Sequence, residues 1–235
     1  MQYRVSRAIA GPLLHLLWRP SITGAQNVPS HGGAILASNH LSIIDSFFLP
    51  LMLDRPVTFA AKSEYFTGTR LIDRATALYL RRTNQLAVDR AVARAARGML
   101  EAALDLLRKG ELFGIYPEGT RSPDGRLYRG RTGVGWLALA SGLPVVPVAM
   151  TGTDQILPPG RTIPRLGTIE VRVGTPLTFE QHTASESPAK ARRAITDEVM
   201  HAIRELSGQE YVPVYASARK EQLAGPAQDP DPSGR

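Results

Sequence analysis

The sequence predicts an α/β fold: one domain with a mixed, largely buried sheet covered by helices, plus an N-terminal amphipathic helix. Three observations carry this. Short apolar runs bounded by Gly or Pro recur along the chain, as buried strands require. Longer segments with apolar residues three and four apart alternate with them, which is the pattern of a sheet covered by helices. The length of 235 residues suits one such domain with little to spare.

The N-terminal helix comes first. The chain has no Asp or Glu before Asp45, and Arg4, Arg7 and Arg19 flank an apolar stretch from Ile9 to Trp18. On a helical wheel Arg4, Arg7, Gly11 and His15 share one stripe, while Val5, Ile9, Leu13, Leu16 and Leu17 share another. The stretch is too short for the ~20 residues that span a bilayer, and it lacks a signal-peptide cleavage pattern. Residues 1–19 therefore read as a helix lying in a membrane interface, kinked at Pro12. A terminal helix packed on the protein's own core is the competing reading.

The domain proper runs over residues 20–214. Gly32-Gly33 precedes a buried strand at 34–37. Ser42 opens a helix through Leu53, with Ser42 and Asp45 in the S-x-x-D form of a helix start. Strands follow at 57–61 and 78–80. A long helix spans about 87–109, closed by Gly110. A strand at 112–116 is stopped by Pro117, and a polar, Gly-rich loop runs from Glu118 to Arg131. A helix at 134–141 ends at Gly142. Pro147 interrupts the strand at 145–150, which argues for an edge position or a bulge. Residues 169–173 alternate as a strand. The last helix begins at Ser187-Pro188, with Pro in the first turn, and ends at Gly208. The tail, residues 215–235, is rich in Pro, Asp, Gly and Ser and is expected to be disordered.

Composition narrows the function. There are no cysteines, so disulfides and thiolate metal sites are excluded. The net charge of +7 and pI near 10.0 point to anionic partners. Of the basic residues 24 are Arg and 4 are Lys; Arg suits bidentate phosphate recognition, although a GC-rich genome also raises Arg content. No nucleic-acid motif is present and the basic residues are dispersed, so nucleic acid is not an expected partner. Scattered acids and unpartnered histidines supply no ligand set for a metal.

Two constellations can carry chemistry. His40 follows directly on a buried strand, where catalytic groups of α/β sheets commonly sit. Asp45 lies five residues on. A tight turn would return its carboxylate to the imidazole, fixing the tautomer and leaving the other ring nitrogen as a base. Taken alone, Asp45 is equally an acid at a helix start and His40 a polar loop residue. The second constellation is Tyr116-Pro117-Glu118-Gly119-Thr120-Arg121-Ser122. Gly119 permits close backbone approach, its loop amides could meet an anion, and Arg121 can fork onto a phosphate. The plain alternative is a surface turn whose Glu and Arg pair with each other.

Together these motifs carry a resemblance. Asn39-His40, then Asp45, then Pro117-Glu118-Gly119-Thr120-Arg121-Ser122 resembles the glycerophospholipid acyltransferase family, whose best-known members acylate 1-acylglycerol-3-phosphate. Ala61-Lys62-Ser63-Glu64-Tyr65-Phe66, Leu78-Tyr79-Leu80-Arg81-Arg82, Gly130-Arg131-Thr132-Gly133 and Val146-Pro147-Val148-Ala149 resemble further blocks of that family in the same order. The likeness covers about residues 20–180. Ala77 stands where the family usually has Gly, and Gly130-Arg131 replaces an aromatic-basic pair.

The resemblance implies transfer of an acyl group from acyl-CoA or acyl carrier protein to a hydroxyl of a lysophospholipid. The expected acceptor is 1-acylglycerol-3-phosphate and the expected product phosphatidic acid. Another lipid or glycolipid hydroxyl, or a non-catalytic membrane-binding role, is the alternative. No cofactor beyond the donor substrate is expected. His40 is the implied general base, oriented by Asp45. No G-x-S-x-G elbow is present, in keeping with direct transfer. Glu118, Gly119, Thr120 and Arg121, with Arg82 and Lys62, are the implied substrate-binding residues. Amides near Gly119 are candidates for the oxyanion, and Glu118 either positions the acceptor or braces its loop. The implied partners are the acyl donor, the lysophospholipid and an anionic membrane surface, with the protein at the cytoplasmic face.

Overall fold

The computed structural model describes residues 14–62, 86–88, 93–158, 160–180 and 187–224. The expected strand at 78–80 and most of the expected N-terminal helix lie outside the described residues. Residues 14–18 are helical, and no helix among the described residues is long and apolar enough to cross a membrane.

Nine strands are described: β1 (Ser21–Thr23), β2 (Ala34–Ser38), β3 (Val57–Lys62), β4 (Leu86–Val88), β5 (Leu112–Ile115), β6 (Leu127–Tyr128), β7 (Val145–Thr151), β8 (Glu170–Val173) and β9 (Tyr211–Val212). The helices are α1 (Asp45–Met52), α2 (Ala93–Arg108), α3 (Gly133–Ser141), α4 (Thr153–Ile156), α5 (Pro188–Ser207) and α6 (Ala216–Ala224). Seven strands form one sheet in the order β1-β8-β7-β2-β5-β3-β4. Its pairs are parallel except β7 with β8. The expected mixed sheet is therefore present, and β6 and β9 form a separate parallel pair.

The core follows from the alternation of side chains along a strand. On central β2, Ile35 and Ala37 face a cluster with Ala103 and Leu107 of α2, Leu137 of α3 and Ile195, Val199 and Ile203 of α5. Ala34 and Leu36 face the opposite cluster, with Phe48 and Leu49 of α1 and Trp18 from the segment before β1. All five residues of β2 are buried, as expected of a central parallel strand covered on both faces.

Four expectations are resolved or corrected. First, of the two settings Pro147 allows, an edge or a bulge, β7 takes the bulge, because β2 and β8 flank the strand. Its proline is tolerated at a break in the ladder. Val145 pairs with Leu177 and Val148 with Val173, so two residues on β7 oppose three on the other side. Pro147 lies in that bulge and lends its carbonyl to the Gly174 N–H at 2.9 Å. Second, residues 86–88 pair with the edge of β3 as a strand, so the long helix does not start near 87; its described part is Ala93–Arg108. Third, the helix expected from Ser42 begins at Asp45, and its N-cap Ile44 makes no side-chain cap. Fourth, residues 216–224, expected within a disordered tail, form α6.

Candidate active site

β2 ends at Ser38, and the chain turns through residues 39–44 before α1 begins. Asn39 pins the strand end. Its amide donates to the Met150 carbonyl at 2.9 Å and its oxygen accepts the Met150 N–H at 2.7 Å, which ties the turn to β7. Asp45 is fully buried. Its Oδ2 accepts the Leu41 N–H at 2.8 Å, the Ser42 N–H at 2.9 Å and His40 Nδ1 at 2.9 Å. A carboxylate oxygen bound to two backbone donors acts as an acceptor, so Nδ1 carries the hydrogen and Nε2 keeps its lone pair. Asp45 thus binds amides of the turn before the helix rather than those of the helix itself. Ser42, the other half of the expected helix start, donates its hydroxyl to the Leu157 carbonyl at 2.7 Å.

The imidazole is held from one side by an aromatic column. His40 stacks on Tyr116 with centroids 3.8 Å apart and planes 10° apart, and Tyr116 stacks on Phe59 at 5.1 Å. The Tyr116 hydroxyl meets Ser46 Oγ at 2.9 Å. The Phe59 ring lies across Gly114, where a β carbon would come within 2.2 Å of it, so no larger residue fits beneath the ring. Beside this column is a cavity of about 460 Å³, lined by His40, Phe59, Met99, Leu100, Phe113 and Tyr116 among others. The His40 side chain is 12% exposed, so its ring is sheltered yet reachable from the cavity.

The loop after β5 supplies the opposite rim. Glu118 is buried, and both its oxygens face backbone amides. Oε1 accepts the His40 N–H at 3.1 Å and Oε2 the Tyr128 N–H at 2.9 Å. Of its two expected roles, positioning the acceptor and bracing the loop, this arrangement serves the second: its carboxylate holds the loop against the His40 turn. Burial pushes its pKa up to about 7, against the pull of the two amides. The Ser122 N–H donates to the His40 carbonyl at 2.7 Å, a second latch between turn and loop. Gly119 takes φ +75°, which suits glycine, and its N–H donates to the Tyr116 carbonyl at 3.0 Å. That amide is therefore engaged in a turn, and an oxyanion donor would have to come from its neighbours in the loop.

The structure brings together His40, Asp45 and the 118–121 loop. Lys62 closes β3, and Arg82 lies outside the described residues. Arg121 is half-buried and forms no ion pair with Glu118, against the plain surface-turn alternative. Three residues to which no role was assigned from the sequence stand at the site. Tyr116 stacks on the imidazole. Arg131 lines the cavity and crosses Gly119, where a β carbon would stand 2.9 Å from its Cδ. Lys220 of α6 donates to Thr120 Oγ1 at 2.7 Å. The basic-then-Gly element at Gly130–Gly133 was a signal for Arg131; nothing local signalled Lys220.

Several known proteins are similar to this chain. A chloroplastic 1-acyl-sn-glycerol-3-phosphate acyltransferase of Brassica napus is 30% identical over 66% of this chain and 44% of its own length. Its Arabidopsis thaliana counterpart is 31% identical over 66% of this chain and 42% of its own. The chain thus spans less than half the length of these plant relatives. A 1-acyl-sn-glycerol-3-phosphate acyltransferase of Bacillus subtilis is 27% identical over 83% of this chain and 91% of that protein. The crystal structure of the 1-acyl-sn-glycerophosphate acyltransferase PlsC from Thermotoga maritima superposes with a TM-score of 0.66 at 25% identity, covering 87% of this chain and 79% of that one. The model of the Acyltransferase family matches residues 19–151, more than half of the sequence and both motif-bearing turns, and the chain belongs to that family.

Proposed function

We propose that this protein transfers an acyl group from an acyl thioester to the free hydroxyl of 1-acylglycerol-3-phosphate, giving phosphatidic acid. The observation that carries it is the His40–Asp45 pair at the mouth of an apolar cavity, with cations on the facing loop. The relatives' names support the same acceptor.

An alcohol is a weak nucleophile at neutral pH and needs a base in the transition state. His40 Nε2 takes the hydroxyl proton as the oxygen attacks the thioester carbonyl. Asp45 holds Nδ1–H and stabilises the imidazolium that forms. Collapse of the tetrahedral intermediate breaks the C–S bond, and the departing thiolate takes the proton back from Nε2. The new ester and a free thiol leave, and no covalent acyl-enzyme forms. The cavity receives an acyl chain by burial of apolar surface. The donor is acyl-CoA or acyl carrier protein, and no further cofactor takes part.

The protein works at an anionic membrane surface on the cytoplasmic side. Leu16, Ile163 and Leu166 are 77%, 73% and 75% exposed. The Trp18 indole donates to the Arg165 carbonyl at 2.7 Å, joining the segment of Leu16 to that of Ile163 and Leu166, with Arg161 and Arg165 also exposed. Apolar residues beside arginines suit an interface. Ile163→Asp with Leu166→Asp should lower recovery with floated anionic vesicles several-fold; undiminished flotation rejects this face.

The functional test is a transfer assay on purified protein, with several lysolipids and both donor classes, read by mass spectrometry. Phosphatidic acid formed from 1-acylglycerol-3-phosphate is the expected product. Acylation of only a phosphate-free or sugar acceptor would replace the proposed substrate, and thiol release without any acylated product would make the protein a hydrolase.

A further inference from the structure

The cavity mouth carries cations that form no ion pair with a carboxylate among the described residues. Arg131 donates to Ser217 Oγ at 3.0 Å and sits 5.1 Å from the Tyr215 ring centroid. Lys220 reaches the Thr120 hydroxyl, and Arg121 stands close enough to weaken its hold on a proton. None of these three forms a salt bridge among the described residues. The nearby acids are committed elsewhere: Glu118 to two amides, and Asp124 to Arg126 at 2.7 Å and the Tyr128 hydroxyl. Clustered like charges in a partly desolvated place are costly, and a bound anion removes the cost.

The cluster is built by the C-terminal segment. The β6–β9 pair brings residues 209–215 against the loop, with the Leu127 N–H on the Glu210 carbonyl and the Arg129 N–H on the Val214 carbonyl. α6 follows at once. Ser217 and Lys220 are three apart and share one face of it. One engages Arg131, the other Thr120, so the helix grips the loop near both its ends. Burial, and then Arg121, push the Lys220 pKa down against the weaker pull of Glu118, which matches a cation drawn into a crowded site.

We propose that Lys220, carried in on α6, completes with Arg121 and Arg131 the site that binds the acceptor's phosphate. Acceptor recognition then depends on a helix beyond the family-matched residues 19–151. The inference rests on the acyl-transfer reading for the acceptor's identity. The phosphate belongs to the acceptor for a chemical reason. In 1-acylglycerol-3-phosphate the reacting hydroxyl and the phosphate ester stand on adjacent carbons, so the cations must border the base. The phosphates of an acyl donor lie a long pantetheine arm from the thioester. Here the loop bearing Thr120 and Arg121 is latched to His40 itself.

The test uses full-length protein, Lys220→Met and Lys220→Arg. Lys220→Met should raise the KM for 1-acylglycerol-3-phosphate about tenfold to a hundredfold, the worth of one charge-assisted hydrogen bond, with donor KM within about twofold. Lys220→Arg should restore most of the loss. An unchanged acceptor KM overturns the proposal, and so does a rise confined to donor KM. In wild-type protein glycerol 3-phosphate should compete with the acceptor and not with the donor; the reverse pattern also overturns it. If wild-type protein acylates no acceptor, the functional reading fails separately. Calorimetric binding of glycerol 3-phosphate then decides the site: binding weaker by about tenfold or more in Lys220→Met supports it, and equal binding rejects it.

Discussion

The turn after β2 and the loop after β5 lie against each other, yet they are held by different means. In the turn one buried carboxylate sets the imidazole: Asp45 Oδ2 takes hydrogens from residues three, four and five positions away, although Asn39 and Ser42 also tie the turn to distant carbonyls. In the loop the partners come from afar. Glu118 meets His40 across 78 positions, and Lys220 meets Thr120 across 100. A local arrangement forms with its own segment, while a distant one needs the sheet and the C-terminal segment assembled first, at a loop-closure cost. The His40–Asp45 contact is thus made within one short stretch, and the charges facing it are recruited from several.

The contrast can be broken by substitution. The largest expected effect is on the chemistry: His40→Ala should lower kcat about 10²–10⁴-fold, the usual worth of a positioned base. Its unfolding midpoint should hardly move, since the turn is organised by Asp45. A variant retaining full activity would remove the proposed mechanism. Asp45→Ala comes next and should strike both activity and stability. It strands the buried N–H groups of Leu41 and Ser42, at a cost of about 2–4 kcal/mol for the pair. If Asp45→Ala unfolds at the wild-type denaturant midpoint, the carboxylate does not organise the turn.

The smallest and most diagnostic effect concerns the brace between the two regions. Glu118 has a folded pKa near 7 against 4.5 for the free group. A raised folded value means that its contribution to stability is complete below the unfolded pKa and is lost as pH rises through the folded one. Between about pH 4.5 and 7 wild-type protein should lose on the order of 3 kcal/mol from this group. Glu118→Gln should abolish that slope while leaving the rest of the pH profile intact. Parallel profiles for the two proteins would show that Glu118 does not titrate in this window.

What was readable beforehand divides along the same line. The buried strands announced themselves as apolar runs between Gly and Pro, and His40 with Asp45 was visible because both lie on one turn. Pro147 was half legible. Its missing N–H demands a gap in a ladder, but only the pairing of Val145 and Val148 with partners out of step shows a bulge rather than an edge. Residues 86–88 carry apolar side chains that suit a helix or a strand, and the open edge of β3 decided the matter. α6 was missed because it has almost no apolar stripe; Ala216 is its buried residue in the core. It docks through Ser217 and Lys220 instead, and polar docking leaves no periodic signature. The choice between the two roles of Glu118 stayed open for a related reason, since its partners are backbone amides that any residue possesses.

The two-stranded β6–β9 pair has a consequence for how this protein fails. It shares no strand with the seven-stranded sheet, and Leu127 pairs with Tyr211 only two residues deep. Such a patch can open as a unit at less cost than global unfolding. Mild heat or denaturant would then release α6 and Lys220 while the dyad stayed seated on its strand. On the proposed reading, the molecule would go blind to its acceptor before it lost the power to move a proton.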